Sequence, residues 1–138
     1  MVGTPMDRID KILNHDLFLY HLGRNNAAEA DRRFCRHSMV HFLDVARIGT
    51  IIALEEGLEL DREWIYAAAL LHDCGKHEQY ENGTPHEQAS ARIAPEILKD
   101  CGFDDKETDV IVTAISRHRD PEAAKEKNLN GVLYRADK

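Results

Sequence analysis

The sequence predicts an all-α domain. Apolar residues recur at helical spacing along almost the whole chain, and no run alternates apolar and polar with period two. Start and stop signals such as Asp61, Thr84-Pro85 and Gly57 punctuate the periodic runs. At 138 residues the chain reads as one domain, long enough for a hydrophobic core. No internal repeat, low-complexity tract or linker interrupts it.

Thr4-Pro5 reads as an N-cap and first helical residue, opening a short helix marked by Ile9, Ile12 and Leu13. His15 to Leu22 continues helically, with Leu17, Phe18, Tyr20 and Leu22 as core positions. Gly23-Arg24-Asn25-Asn26 reads as a break, and Ala27 to Arg33 as a polar helix. Apart from Asp16, no acidic residue adjoins His15 or His21 and no motif surrounds them, so they read as surface or core-edge residues. Arg36 to Glu56 is the longest periodic run. Val40, Leu43, Ile48, Ile51, Ile52 and Leu54 predict a central, largely buried helix. His37, His41 and Asp44 share one of its faces. An H-x-x-x-H pair can hold a metal, and one member of such a pair is often a hydrogen-bonded core residue instead. Gly57 suits the residue after the helix end.

Asp61 caps the next helix, with Glu63 in its first turn. Ala67, Ala68 and Ala69 imply close packing against a neighbour. That helix runs into His72-Asp73-Cys74-Gly75-Lys76, which places an imidazole, a carboxylate, a turn glycine and a cation together. Lys76 to Gly83 reads as a polar loop carrying His77 and Glu78. Thr84-Pro85-His86-Glu87 reads as a capping box that fixes His86 in the first turn of a helix reaching about Lys99. Asp100-Cys101-Gly102 ends it.

Asp104 or Asp105 starts another helix, with Val110, Ile111, Ala114 and Ile115 inward. His118 follows, between Arg117 and Arg119. It reads either as part of a cation cluster at a helix end or as a ligand flanked by phosphate-binding guanidiniums. Pro121 to Lys127 is a short charged helix and Asn128 to Gly131 a turn. Leu133 and Ala136 point inward beside Asp137. A chain that stops within a helical turn is expected to continue beyond Lys138.

Charged residues make up 31% and apolar residues 43%, both ordinary for a soluble domain. The net charge of −7 argues against general nucleic-acid or anionic-membrane binding. No apolar run is long enough for a bilayer span and no signal-peptide pattern opens the chain, so a cytoplasmic protein is expected. Cys35, Cys74 and Cys101 form no C-x-x-C pair, which indicates neither a disulfide framework nor a thiolate zinc site. Asn82-Gly83-Thr84 is read as a turn. Eight histidines are the one compositional oddity.

Three stretches carry a resemblance. His41-Phe42-Leu43-Asp44-Val45-Ala46 resembles an opening helix in which His is followed by Val-Ala at +4 and +5. Ala68-Ala69-Leu70-Leu71-His72-Asp73-Cys74-Gly75-Lys76 resembles an ALLHDIGK core, with Cys74 in the variable place. Tyr134-Arg135-Ala136-Asp137-Lys138 resembles a closing ADK segment. Together they resemble the HD-domain superfamily of His-Asp metal-dependent phosphohydrolases (the HDIG type), over 36–138. The helices within 1–35 lie outside the match.

The resemblance implies a single HD domain over 1–138, an all-α bundle with His41, His72, Asp73 and Asp137 on one metal; its register selects His41 over His37. His86 and His118 match the extra histidines of dinuclear branches, where Asp73 bridges two ions. Iron or manganese is expected, with cobalt, nickel or zinc as further options. Two such ions would acidify a bridging water, giving a metal-bridging hydroxide, and hold a phosphate oxygen. Asp73 and Lys76 would be catalytic, and Lys76, Arg117 and Arg119 would bind phosphate. The expected partner is a small phosphorylated substrate, a nucleotide or another phosphate ester or anhydride, and the ligand order resembles branches that cleave dinucleoside polyphosphates. Di-iron oxygenases share the ligand pattern. A mononuclear phosphatase and a metal-binding sensor without hydrolysis are further alternatives. The N-terminal helices could form a lid, a homodimer interface or a packing layer.

Overall fold

The computed structural model describes residues 7–28 and 39–137, and every regular element among them is helical. The expectations for Thr4-Pro5, Cys35, Arg36 and His37 fall outside the described residues. In order come α1 (Asp7–Leu13), α2 (Asp16–Ala28), α3 (Met39–Glu55), α4 (Arg62–Leu71), α5 (Lys76–Asn82), α6 (His86–Asp100), α7 (Asp105–Ser116), a 3-10 turn (Pro121–Lys125) and α8 (Leu129–Ala136).

The centre of the bundle is α4, which touches α1, α3, α6, α7 and α8. Every residue from Ala67 to Gly75 is buried. Full burial of Leu70 and Leu71 contributes about 1.5–3 kcal/mol each. Ala67, Ala68 and Ala69 keep the profile of α4 thin, so neighbouring helices approach closely. Asp61 caps α4 by accepting from the Glu63 N–H at 2.8 Å. Asp104 and Glu107 form a reciprocal capping box on α7. Arg8 ties α1 to the starts of α4 and α7 through Glu63 and a two-pronged contact with Glu107.

Several local expectations give way to tertiary contacts. The buried face of α3 is Phe42, Val45, Ala46, Gly49 and Ala53, whereas Val40, Ile48, Ile51 and Leu54 are exposed. Neighbours cover only the side that carries Phe42, Val45, Ala46, Gly49 and Ala53. Helix α2 runs unbroken through Gly23-Arg24-Asn25-Asn26, because Asn25 is buried and anchored to the turn after α4. In α2 Phe18 is buried but Tyr20 is exposed. The stretch after Lys76 is a helix, not a loop, because His77 is buried and Gly83 closes the helix at φ 80°.

Thr84 does not cap α6. Its hydroxyl turns to Asn82, and the His86 N–H is accepted by Gln79 Oε1 at 3.1 Å. Asn128 caps α8, so the expected turn at 128–131 is a helix start. His15 has an acidic partner after all, Asp100, 2.8 Å away and distant in sequence.

Candidate metal centre

The core motif lies where α4 stops. His72 is the C-cap residue of α4, and Asp73, Cys74 and Gly75 turn the chain into α5. His41 comes from the first turn of α3, His86 from the start of α6, His118 from the turn after α7, and Asp137 from the end of α8. These six side chains meet in one cluster. His72 Nε2 lies 3.2 Å from Asp137 Oδ1 and 3.4 Å from Asp73 Oδ2. His41 Nε2 is 3.4 Å from Asp137 Oδ1. His86 Nε2 and His118 Nε2 each stand 3.4 Å from Asp73 Oδ1, and 3.1 Å from one another. Three overlapping groups have ligand atoms close enough to share an ion: His41, His72 and Asp73; His72, His118 and Asp137; and Asp73, His86 and His118.

The outer nitrogens of three rings are already committed. His72 Nδ1 donates to the Ala69 carbonyl at 2.6 Å, and His118 Nδ1 donates to the Ile115 carbonyl at 2.7 Å. His86 Nδ1 is 2.8 Å from Gln79 Oε1, which also accepts the His86 backbone N–H. That shared acceptor fixes the amide orientation, so His86 Nδ1 carries a proton. In a neutral ring Nε2 then holds a lone pair aimed into the cluster. Two such lone pairs 3.1 Å apart repel unless a proton or cation lies between them. A buried set of imidazole nitrogens and carboxylate oxygens therefore fits a divalent transition ion.

The charges agree with that fit. Burial alone would lower the pKa of His72, but Asp73 and Asp137 outweigh it and push it up to about 9. Its second ring proton stands where a cation would stand. His86 goes the other way, down to about 4. Burial is the largest cause, with Lys76 and His118 adding to it against the pull of Asp73. Burial would raise Asp137, but His41 and His72 hold its carboxyl well below the usual range. Burial pushes the Cys74 thiol up to about 12, which keeps a thiolate out of the ligand set.

Lys76 is half-buried at the start of α5, its ammonium 5.9 Å from the Tyr80 ring centre. Arg117 is engaged by the carboxylates of Asp120 and Glu126, and Arg119 is exposed. Asp44, though on the helix of His41, points to the outer face and pairs with Arg47 at 3.2 Å.

Sequence reasoning missed three supporting residues. Asn25 of α2 is buried, donates to the Asp73 carbonyl at 2.9 Å and accepts the His77 N–H at 2.8 Å. Ser90 Oγ accepts the Gly75 N–H at 2.9 Å. Gln79 orients His86. Each reaches the site through a contact that no local pattern announces. His77, expected in a loop, is buried and stacks on His21 with ring centres 5.1 Å apart.

An all-α bundle that gathers His and Asp side chains around the end of one buried helix defines a class of metal-centred helical domains. The HD domain family matches residues 39–138, and the chain belongs to it. An uncharacterised protein of Clostridium beijerinckii is 49% identical over 133 residues, spanning 96% of this chain and 83% of that one. The crystal structure of a predicted HD superfamily hydrolase from an uncultured Thermotogales bacterium superposes with a TM-score of 0.66 at 27% identity. The match covers 86% of this chain and spans 65% of that one. Membership of the HD domain family places the chain in the same superfamily as that hydrolase.

Proposed function

We propose that the chain is a phosphohydrolase that holds two divalent ions and cleaves a small phosphate ester or anhydride, a nucleotide being the favoured class. One observation carries the reading: the two oxygens of Asp73 face different histidines. Oδ2 is turned toward His72, and Oδ1 toward His86 and His118. A carboxylate divided in this way can bridge two ions. In this reading His41, His72, Asp73 and Asp137 hold the first, and Asp73, His86 and His118 hold the second.

When bound, the ions would supply Lewis acidity, neutralising phosphoryl oxygens and acidifying a water. The chain's own residues prepare that site. The Ala69 and Ile115 carbonyls and Gln79 keep three imidazoles in the tautomer that offers Nε2 inward. Burial of His72, Asp73, His86 and His118 excludes bulk water and strengthens each charge contact. Lys76 brings a cation beside the His86 side of the cluster, where an anionic substrate would rest. Asp120 and Glu126 already hold Arg117, so Lys76 is the stronger of the proposed phosphate contacts.

The test is phosphate release from a panel of nucleotides and dinucleoside polyphosphates. The protein is loaded with Mn(II), or with Fe(II) under anaerobic conditions, and Asp73→Ala serves as control. Release by the wild type but not the variant is expected. Metal-loaded protein that releases no phosphate from any member of the panel refutes the reading.

A further inference from the structure

Helix α3 has two apolar faces. One, built from Phe42, Val45, Ala46, Gly49 and Ala53, is buried in the bundle. The other lies about half a turn away and is open: Val40 is 68% exposed, Ile48 45%, Ile51 53% and Leu54 75%. A helix with apolar residues on two opposite faces ordinarily has both faces covered. Of the large apolar side chains exposed among the described residues, these four form the stripe on a single helix.

The open face has an internal pattern. Val40, Asp44, Arg47, Ile51 and Leu54 follow one another at spacings of four and three, the a/d seam of a coiled coil. The middle of the seam is the Asp44–Arg47 pair, with both side chains more than half exposed. The apolar residues sit to either side of it.

We propose that this face of α3 binds the same face of a second copy, with the two helices antiparallel about a two-fold axis. The charges select that arrangement. Antiparallel packing that sets Asp44 against the second copy's Arg47 does the same for the reciprocal pair. The same register brings Val40 against the second copy's Ile51, an a position against a d position in each layer. Leu54 and Ile48 flank these contacts. A parallel pairing would stack Asp44 on Asp44 and Arg47 on Arg47. Two apolar layers around a solvent-exposed charge pair make a weak seam, and association in the micromolar range is expected.

Sedimentation equilibrium of the full chain from about 1 to 500 µM reads this directly. The wild type is expected to pass from monomer to dimer, and Ile51→Glu to stay monomeric. The decisive variants are Asp44→Arg and Arg47→Asp. Each alone sets like charges across the two-fold axis and should remain monomeric, with circular dichroism confirming that it is folded. Mixed together, the two variants should form a heterodimer, because each substituted side chain then meets its opposite charge. A wild type that stays monomeric throughout overturns the proposal. Single charge variants that dimerise like the wild type, or a mixture that stays monomeric, overturn the antiparallel register.

Discussion

Replacing Gly75 by alanine tests how the core motif is held against the rest of the site. The backbone there has φ −96° and ψ 12°, which alanine adopts without strain, so conformational freedom is not why glycine stands here. The reason is contact. A Cβ at residue 75 would lie 2.7 Å from both Ala89 Cβ and Ser90 N, and 2.8 Å from Ala89 C. Most of that is main chain in the first turns of α6, which cannot rotate away. Restoring ordinary carbon contacts requires the turn and α6 to separate by roughly 1 Å. Overpacking of this kind costs about 1–3 kcal/mol. The stretched Gly75–Ser90 hydrogen bond costs about 1 kcal/mol more. The stiffer unfolded chain gives back about 0.4–1 kcal/mol. The net loss is on the order of 1–3 kcal/mol, a fall in Tm of about 3–10 °C. Because His86 begins α6, the same shift draws it from Asp73 and should lower metal content after dialysis. Ser90→Ala, which removes the hydrogen bond and adds no atom, should do less on both counts. A Gly75→Ala protein with unchanged Tm and full metal content would refute the close-approach argument.

Further consequences concern the cluster itself. In chelated protein the raised pKa of His72 contributes stability that is complete below about pH 6.5 and is lost as pH climbs through about 9. The depressed pKa of His86 acts oppositely, with its contribution present above about pH 6.5 and lost as pH falls through about 4. Urea denaturation of the metal-free protein should therefore show greatest stability near neutrality, and a flat profile from pH 6.5 to 9 would contradict the His72 assignment. Metal affinity should rise across that interval, since an ion displaces the second His72 proton; competition against a chelator measures it. Ala68→Leu inserts a branched side chain at a fully buried position and should cost about 1–3 kcal/mol and weaken metal binding, so unchanged affinity by calorimetric titration counts against close packing as the basis of the cluster. Asn25→Asp keeps an acceptor for the His77 N–H but presents an oxygen to the Asp73 carbonyl, and a loss of about 1–3 kcal/mol in thermal unfolding is expected.

The fold class and the cluster were legible because they are written in short-range signals. Helical periodicity, the Asp61 and Asp104 caps and the alanines of α4 are local features whose physics does not depend on distant partners. His72 and Asp73 stand out by being adjacent, and His41 and Asp137 by the company they keep. What escaped depends on contacts far apart in sequence. Asn25 looks like a turn residue until its partners at Asp73 and His77 are seen. The polar run after Lys76 looks like a loop until Asn25, His21 and Gly83 are in place around it. Thr84-Pro85-His86-Glu87 has the composition of a capping box, yet Gln79 takes the N–H at His86 first. The apolar run of α3 predicts a largely buried helix, but hydropathy does not say which of its two apolar faces meets the bundle.

The reach of Asn25 bears on where this domain can be cut. The family match begins at residue 39, and a boundary drawn there would leave α2 behind. Trimming it would strip the covering from the turn that presents Asp73. The Asp73 carbonyl would keep only the Lys76 N–H, the His77 amide would be left to water, and His77 would lose its stacking partner. A minimal fragment would then keep all six clustered side chains in its sequence while losing the brace that sets one of them. For protein engineering, the working module is larger than the recognisable one.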